Sequence, residues 1–122
     1  ADPAGIAFFG RIIAFCHDAY EDLMRDRGVP LHELVTQGEI GLPLANASAD
    51  FLRPLPHGAD VTVEVRVAEL REKGFTLEHT VIGPGGDPHA RVKTVHVAIS
   101  RATKRPIPLP ERIAKALNEE AP

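Results

Sequence analysis

This chain of 122 residues has a single cysteine, Cys16. That count excludes an intrachain disulfide and makes a reducing cytoplasm the simplest expectation. Basic residues are not in excess. The 17 acidic and 14 basic side chains give a formal charge of −3, and no basic stripe points to nucleic acid. The six histidines add positive charge only below about neutral pH. No apolar run approaches the ~20 residues that cross a bilayer, and the first residues carry no signal-peptide pattern. No Gly-Lys-Ser/Thr follows Gly83-Pro84-Gly85-Gly86, which reads as a hairpin turn rather than a phosphate loop. His17 and Glu21 lie four apart on a helical pattern, too few ligands for a metal, and no His-Glu-x-x-His or Cys-x-x-Cys occurs. No metal is expected. Ser48 and Ser100 lack a nucleophile-elbow context, and Cys16 falls on the buried side of its helix. His79, His89 and His96, scattered over strands and a turn, read as ordinary strand and surface histidines. With neither repeat nor linker, residues 1–122 are expected to form one domain.

What is present is a change of period. Ile12, Ile13, Cys16, Ala19, Tyr20, Leu23 and Met24 fall largely on one face of a helix, predicted from Phe9 or Gly10 to Arg27. Gly28-Val29-Pro30 stops it, and Leu31 to Val35 add one further turn. From Ile40 onward the period is two. Leu42 to Leu52 reads as a strand broken or bent near Pro43. Val61, Val63, Val65 and Val67 alternate with polar residues, as do Phe75, Leu77, His79 and Val81. Arg91 to Arg101 is a last strand, with Val95, Val97 and Ile99 on one face. Pro106, Pro108 and Pro110 precede a short helix, Glu111 to Leu117. A long helix followed by about four antiparallel strands is α+β, with a curved sheet available to wrap the helix. Open edges on a small sheet predict dimerisation through them.

The start of the first helix carries the chemistry. Asp2-Pro3-Ala4-Gly5 places a carboxylate in a tight turn, and unpaired N–H groups at a helix N-terminus can polarise a carbonyl or hold an oxyanion. Those two parts suffice to hydrolyse an activated acyl bond. Asp-Pro is equally an ordinary turn and helix-entry signature, so these residues alone leave both readings open. A functional turn at residue 2 has nothing before it to anchor it, and a preceding strand outside this numbering is expected.

The run Asp2-Pro3-Ala4-Gly5-Ile6-Ala7-Phe8-Phe9-Gly10, continuing to His17-Asp18-Ala19-Tyr20-Glu21, resembles the hotdog-fold acyl-CoA thioesterases of the aspartate-type 4-hydroxybenzoyl-CoA thioesterase group. Gly28-Val29-Pro30, Ile40-Gly41-Leu42-Pro43, Ala45 to Phe51 and Leu70-Arg71-Glu72-Lys73-Gly74-Phe75 match in order, so the likeness reaches about Leu117. The resemblance implies a central helix wrapped by an antiparallel sheet of about five strands, the first missing from this numbering. It implies edge-to-edge homodimers, often paired into tetramers, with sites at the dimer interface. The substrate it implies is an acyl-CoA, with no cofactor beyond the coenzyme A of the substrate itself, and the charge balance and short apolar runs lead us to expect neither nucleic acid nor membrane as a partner.

Carried over by position, the resemblance implies that Asp2 is the carboxylate that attacks the thioester or activates water, and that the Phe9 backbone N–H polarises the carbonyl. Gly5 lets the loop approach the acyl group. Arg71 and Lys73 match a basic turn near the coenzyme A phosphates, interrupted here by Glu72. His17 stands where the type enzyme has an acidic residue near the substrate ring, and the His-acid-Ala-Tyr-Glu run is similar to dihydroxynaphthoyl-CoA enzymes. Phe8, Phe9, Phe15 and Tyr20 near the site favour an aromatic or bulky acyl group. The alternatives are a short-chain acyl-CoA or acyl-carrier-protein thioesterase and a non-catalytic acyl-CoA-binding module.

Overall fold

Ile12, Cys16, Tyr20 and Met24 recur every fourth residue, and this row turns the first helix inward. All four are buried, with Ile12 and Met24 fully enclosed. Full burial of a side chain of that size contributes ~1.5–3 kcal/mol. The computed structural model describes residues 3–55 and 58–118, without the side chains of residues 3–9 and 35–37. In chain order the elements are α1 (Pro3–Asp26), α2 (Leu31–Gln37), β1 (Ile40–Gly41), β2 (Leu44–Phe51), β3 (Thr62–Arg71), β4 (Gly74–Ile82), β5 (Pro88–Val97), β6 (Ile99–Ser100) and α3 (Glu111–Leu117).

The strands β2, β5, β4 and β3 lie side by side in that order, all antiparallel, and β1 pairs with β6 in a two-stranded extension. A helix packed on a curved antiparallel sheet is the hotdog arrangement expected from the sequence. The inner face of the sheet follows from register. Phe75 pairs with His96, Leu77 with Thr94, His79 with Val92 and Val81 with Ala90, and strand side chains alternate between faces. Those rows meet α1. Phe75, Leu77, Tyr20 and Met24 form one cluster with Ile113 and Leu117 of α3, while Ile12, Cys16, Val81, Ala90 and Val92 form a second.

Two boundaries differ from the sequence expectation. The last strand does not run unbroken to Arg101. At Ala98 the N–H donates to the Lys73 carbonyl and the carbonyl accepts from Ile107 N–H, so the ladder changes partners and β6 restarts beyond it. Among the described residues the sheet has four strands plus the β1–β6 pair, and the strand expected ahead of Asp2 lies outside them. Helix α1 begins at Pro3 rather than at Phe9 or Gly10. Proline suits the first helical position because its fixed φ is already helical and its missing N–H has no partner to lose there. The C-terminal end matches expectation, with Gly28 at φ 81°, Gly28 N–H donating to the Arg25 carbonyl and Val29 N–H to that of Met24.

Candidate active site

The face of α1 carrying Ile13, Cys16, His17 and Tyr20 does not pack flush on the sheet. Between it and strands β2, β4 and β5 lies a cavity of about 220 Å³, whose further lining includes Leu42, Leu44, Ala47, His79, Val92, Thr94 and His96. An engineered apolar cavity of ~150 Å³ holds benzene, so this space admits a substituted aromatic ring. Its mouth lies toward β2, where Ile13 and Leu44 are exposed and His17 is held by Glu21 at 2.8 Å. Cys16 and Tyr20 stand deeper.

A second, larger groove of about 690 Å³ runs between α1 and β3. Asp18, Asp22 and Asp26 of α1 all border it. Three carboxylates on one wall oppose a polyanionic ligand, so the smaller apolar cavity is the better acyl site.

The cavity wall is aromatic and polar together. Tyr20 lies against His96 at 4.6 Å between ring centroids, and His96 stacks on Phe75 at 5.0 Å and 15°. The Thr94 hydroxyl stands 3.2 Å from His79 Nε2 and 3.1 Å from His96 Nε2, while His96 Nδ1 reaches the Leu42 carbonyl at 3.5 Å. Burial pushes the His79 pKa down to about 4, with the nearby His96 adding to it. Burial also lowers that of His96, partly offset by the Leu42 carbonyl. Both imidazoles are neutral at pH 7. Burial raises the Tyr20 phenol and pushes the Cys16 thiol up to about 11, so neither is an ionised nucleophile near neutral pH.

His79 and His96 therefore correct the reading of them as ordinary strand and surface histidines. Both are buried, at 1% and 6% exposure, and with Thr94 they line the cavity. The signal available was parity, because His79 belongs to the alternating series of Phe75, Leu77 and Val81. His89 is half-buried and its Nδ1 meets the Pro54 carbonyl.

Of the residues singled out from sequence, His17 lines the cavity. Asp2 lies outside the described residues, as does the Phe8 side chain. Gly5 and Phe9 are backbone positions within α1. Phe9 stands in the second turn of the helix rather than at its N-terminus, where a regular helix pairs its N–H with the Gly5 carbonyl. Arg71 and Lys73 flank the β3–β4 turn beside the Phe75–His96 pair, at the Leu42 end of the cavity. The Arg71 guanidinium donates to Glu69 at 2.8 Å and to the Thr76 hydroxyl at 3.2 Å, and Lys73 is exposed. Among the described residues no group of three or more His, Cys, Asp or Glu gathers as a metal site, and no helix is long and apolar enough to cross a membrane.

The family described as the thioesterase-like superfamily matches residues 1–117. A 1,4-dihydroxy-2-naphthoyl-CoA hydrolase of Rippkaea orientalis is 30% identical over 118 residues, covering 95% of this chain and 86% of the relative. The crystal structure of a 1,4-dihydroxy-2-naphthoyl-CoA thioesterase from Synechocystis superposes with a TM-score of 0.87 at 27% identity, over 100% of this chain and 90% of that one. A gentisyl-coenzyme A thioesterase superposes with a TM-score of 0.79, also at 27% identity, over 93% and 89% of the two chains.

Proposed function

The chain belongs to the thioesterase-like superfamily, and on that premise we propose that it hydrolyses an acyl-CoA whose acyl group is a hydroxylated aromatic ring. The cavity carries this reading. It is mostly apolar, sized for a ring, walled by Tyr20, His96 and Val92, and supplied with a few buried polar atoms, the composition of a small-molecule site. The relatives named for dihydroxynaphthoyl-CoA and gentisyl-CoA act on thioesters of that kind.

In this reading Asp2 supplies the carboxylate. It either attacks the thioester carbon, expelling coenzyme A thiolate and leaving a mixed anhydride that water hydrolyses, or takes a proton from an attacking water. The Phe9 N–H holds the developing oxyanion. That role requires the Phe9 N–H to be free of the Gly5 carbonyl with which a regular helix pairs it. Arg71 and Lys73, at the Leu42 end of the cavity, take the coenzyme A phosphates. The mouth of the cavity lies at the β2 edge, which supports a homodimer paired there with both chains bordering each site.

The test is thiol release over a panel of aromatic and straight-chain acyl-CoAs. Hydroxylated aromatic thioesters are expected to turn over with kcat/KM of ~10⁴ M⁻¹s⁻¹ or more. Turnover confined to straight-chain thioesters would overturn the substrate class, and none at all the activity. Asp2→Asn is expected to lower kcat at least ~100-fold, the scale of losing one oxyanion donor, with the dimer intact. Near-normal kcat in that variant would remove Asp2 from the mechanism.

A further inference from the structure

The Thr94 hydroxyl stands between two imidazoles and meets the same atom of each, His96 Nε2 at 3.1 Å and His79 Nε2 at 3.2 Å. All three residues line the cavity. A hydroxyl has one proton to give, so it cannot donate to both rings. At least one imidazole presents an N–H to it, and the far end of His96 decides which.

His96 Nδ1 meets the Leu42 carbonyl at 3.5 Å. A carbonyl only accepts, so Nδ1 carries the proton of this ring. Both rings are neutral at pH 7, and each therefore has one protonated nitrogen. His96 Nε2 is a lone pair, and the Thr94 hydroxyl donates to it. With that proton spent, Thr94 Oγ1 accepts from His79, whose Nε2 carries the proton. Two imidazoles that share one hydroxyl hold opposite tautomers.

We infer that Thr94 is a positioning residue for the acyl cavity, its hydroxyl locking His79 and His96 in opposite tautomers and each ring in one orientation. Packing alone does not make that choice. His96 stacks on Phe75 at 5.0 Å and 15° and lies 4.6 Å from Tyr20 between centroids. Half a turn of its ring about the Cβ–Cγ bond keeps the stack and puts carbon where each nitrogen stood, so only hydrogen bonds separate the two orientations. His79 depends on Thr94 still more. It is 1% exposed, and its Nδ1 has no partner among the described residues. Without the hydroxyl, His79 Nε2–H and His96 Nε2 are left unpaired in a buried place, which is costly, and the rings turn or admit water. The wall of the cavity then loses its shape. The lock follows from the hydrogen bonds, whereas its effect on turnover rests on the acyl group occupying this cavity, as in the function proposed above.

A long-range ¹H–¹⁵N correlation spectrum of the histidine-¹⁵N-labelled wild type at neutral pH tests the lock without a substrate. The expected pattern is a protonated Nε2 and a bare Nδ1 in His79, and the reverse in His96. The same tautomer in both rings overturns the inference, and so does averaging between tautomers in either.

Thr94→Val keeps the β-branched shape and removes the hydroxyl, while Thr94→Ser keeps the hydroxyl. In thiol release from hydroxylated aromatic acyl-CoAs, Thr94→Val is expected to raise KM about fivefold or more. Its kcat is expected to stay within about twofold of the wild type, because Asp2 and the Phe9 N–H are untouched, and its spectrum to lose the opposed pattern. Thr94→Ser is expected to restore both. An unchanged KM and spectrum in Thr94→Val mean that packing sets the rings, and the inference falls. Should Thr94→Val fail to fold, the wild-type and Thr94→Ser spectra decide. If no thioester is hydrolysed while the wild type shows opposed tautomers and Thr94→Val loses them, the proposed function fails and the lock stands.

Discussion

His79 occupies a core position on the inner face of β4, yet it is an ionisable side chain, and the two facts together make the fold sensitive to acid. Its pKa falls from 6.5 to about 4, through burial first and the proximity of His96 second. Between those values the unfolded chain binds more protons than the native one, so stability is complete above about pH 6.5 and falls as the pH drops toward 4. A shift of this size removes about 3 kcal/mol by pH 4, and His96, lowered by burial as well, acts in the same direction. The urea midpoint is expected to be lower at pH 4.5 than at pH 7.5, and His79→Leu to flatten the dependence between them. An unchanged slope in that variant would assign the acid sensitivity to other groups. None of this was visible in the residue types. A histidine in an alternating strand is polar by composition, and only the packing of α1 over that row removes it from water.

Two glycines at element boundaries act by different means, and the same substitution separates them. Gly28 closes α1 at φ 81° with open space where a Cβ would stand, so alanine there pays only the left-handed backbone cost of ~1–2 kcal/mol. Gly74 opens β4 with ordinary φ, but its Cβ would lie 2.2 Å from the His96 carbonyl oxygen. That is backbone, which cannot swing away, so β4 and β5 must separate locally at a cost of ~1–3 kcal/mol or more. Both variants are expected to melt below the wild type. Gly74→Ala alone is expected to lower kcat/KM as well, because the strand it displaces carries His96. Equal activity in the two would mean that the cavity tolerates movement of that strand. The stop at Gly28-Val29-Pro30 was readable from sequence because capping is local. The start of α1 was not, because Asp-Pro-Ala-Gly suits a turn and a helix entry alike.

The sheet ends at β2 on one side, and almost every residue of that strand is exposed. Leu44 at 55% exposure at one end, and Phe51 at 45% and Leu52 at 45% at the other, are exposed apolar side chains on a strand that pairs with no further strand among the described residues, an arrangement that monomers usually blunt with charge. A second copy paired there would also border the cavity mouth formed by Ile13, His17 and Leu44. Sedimentation equilibrium is expected to give the mass of a dimer or a dimer of dimers, and Phe51→Lys to shift the population toward monomer. Loss of activity in step with that shift would place the site at the interface, whereas a fully active monomer would confine it to one chain.

Period, punctuation and motif order were enough to read the helix-then-strands plan, the break at Pro43, the helix over Glu111–Leu117 and the likeness to thioesterases, because each depends on residues near one another along the chain. The cavity depends on residues 13 to 96 converging from α1, β2, β4 and β5, and no local pattern records that convergence. Phe75, Leu77, His79 and Val81 were legible as one face of a strand. That His79 is buried beneath the helix with Nε2 against the Thr94 hydroxyl follows from strand register and helix packing, which together remove it from water.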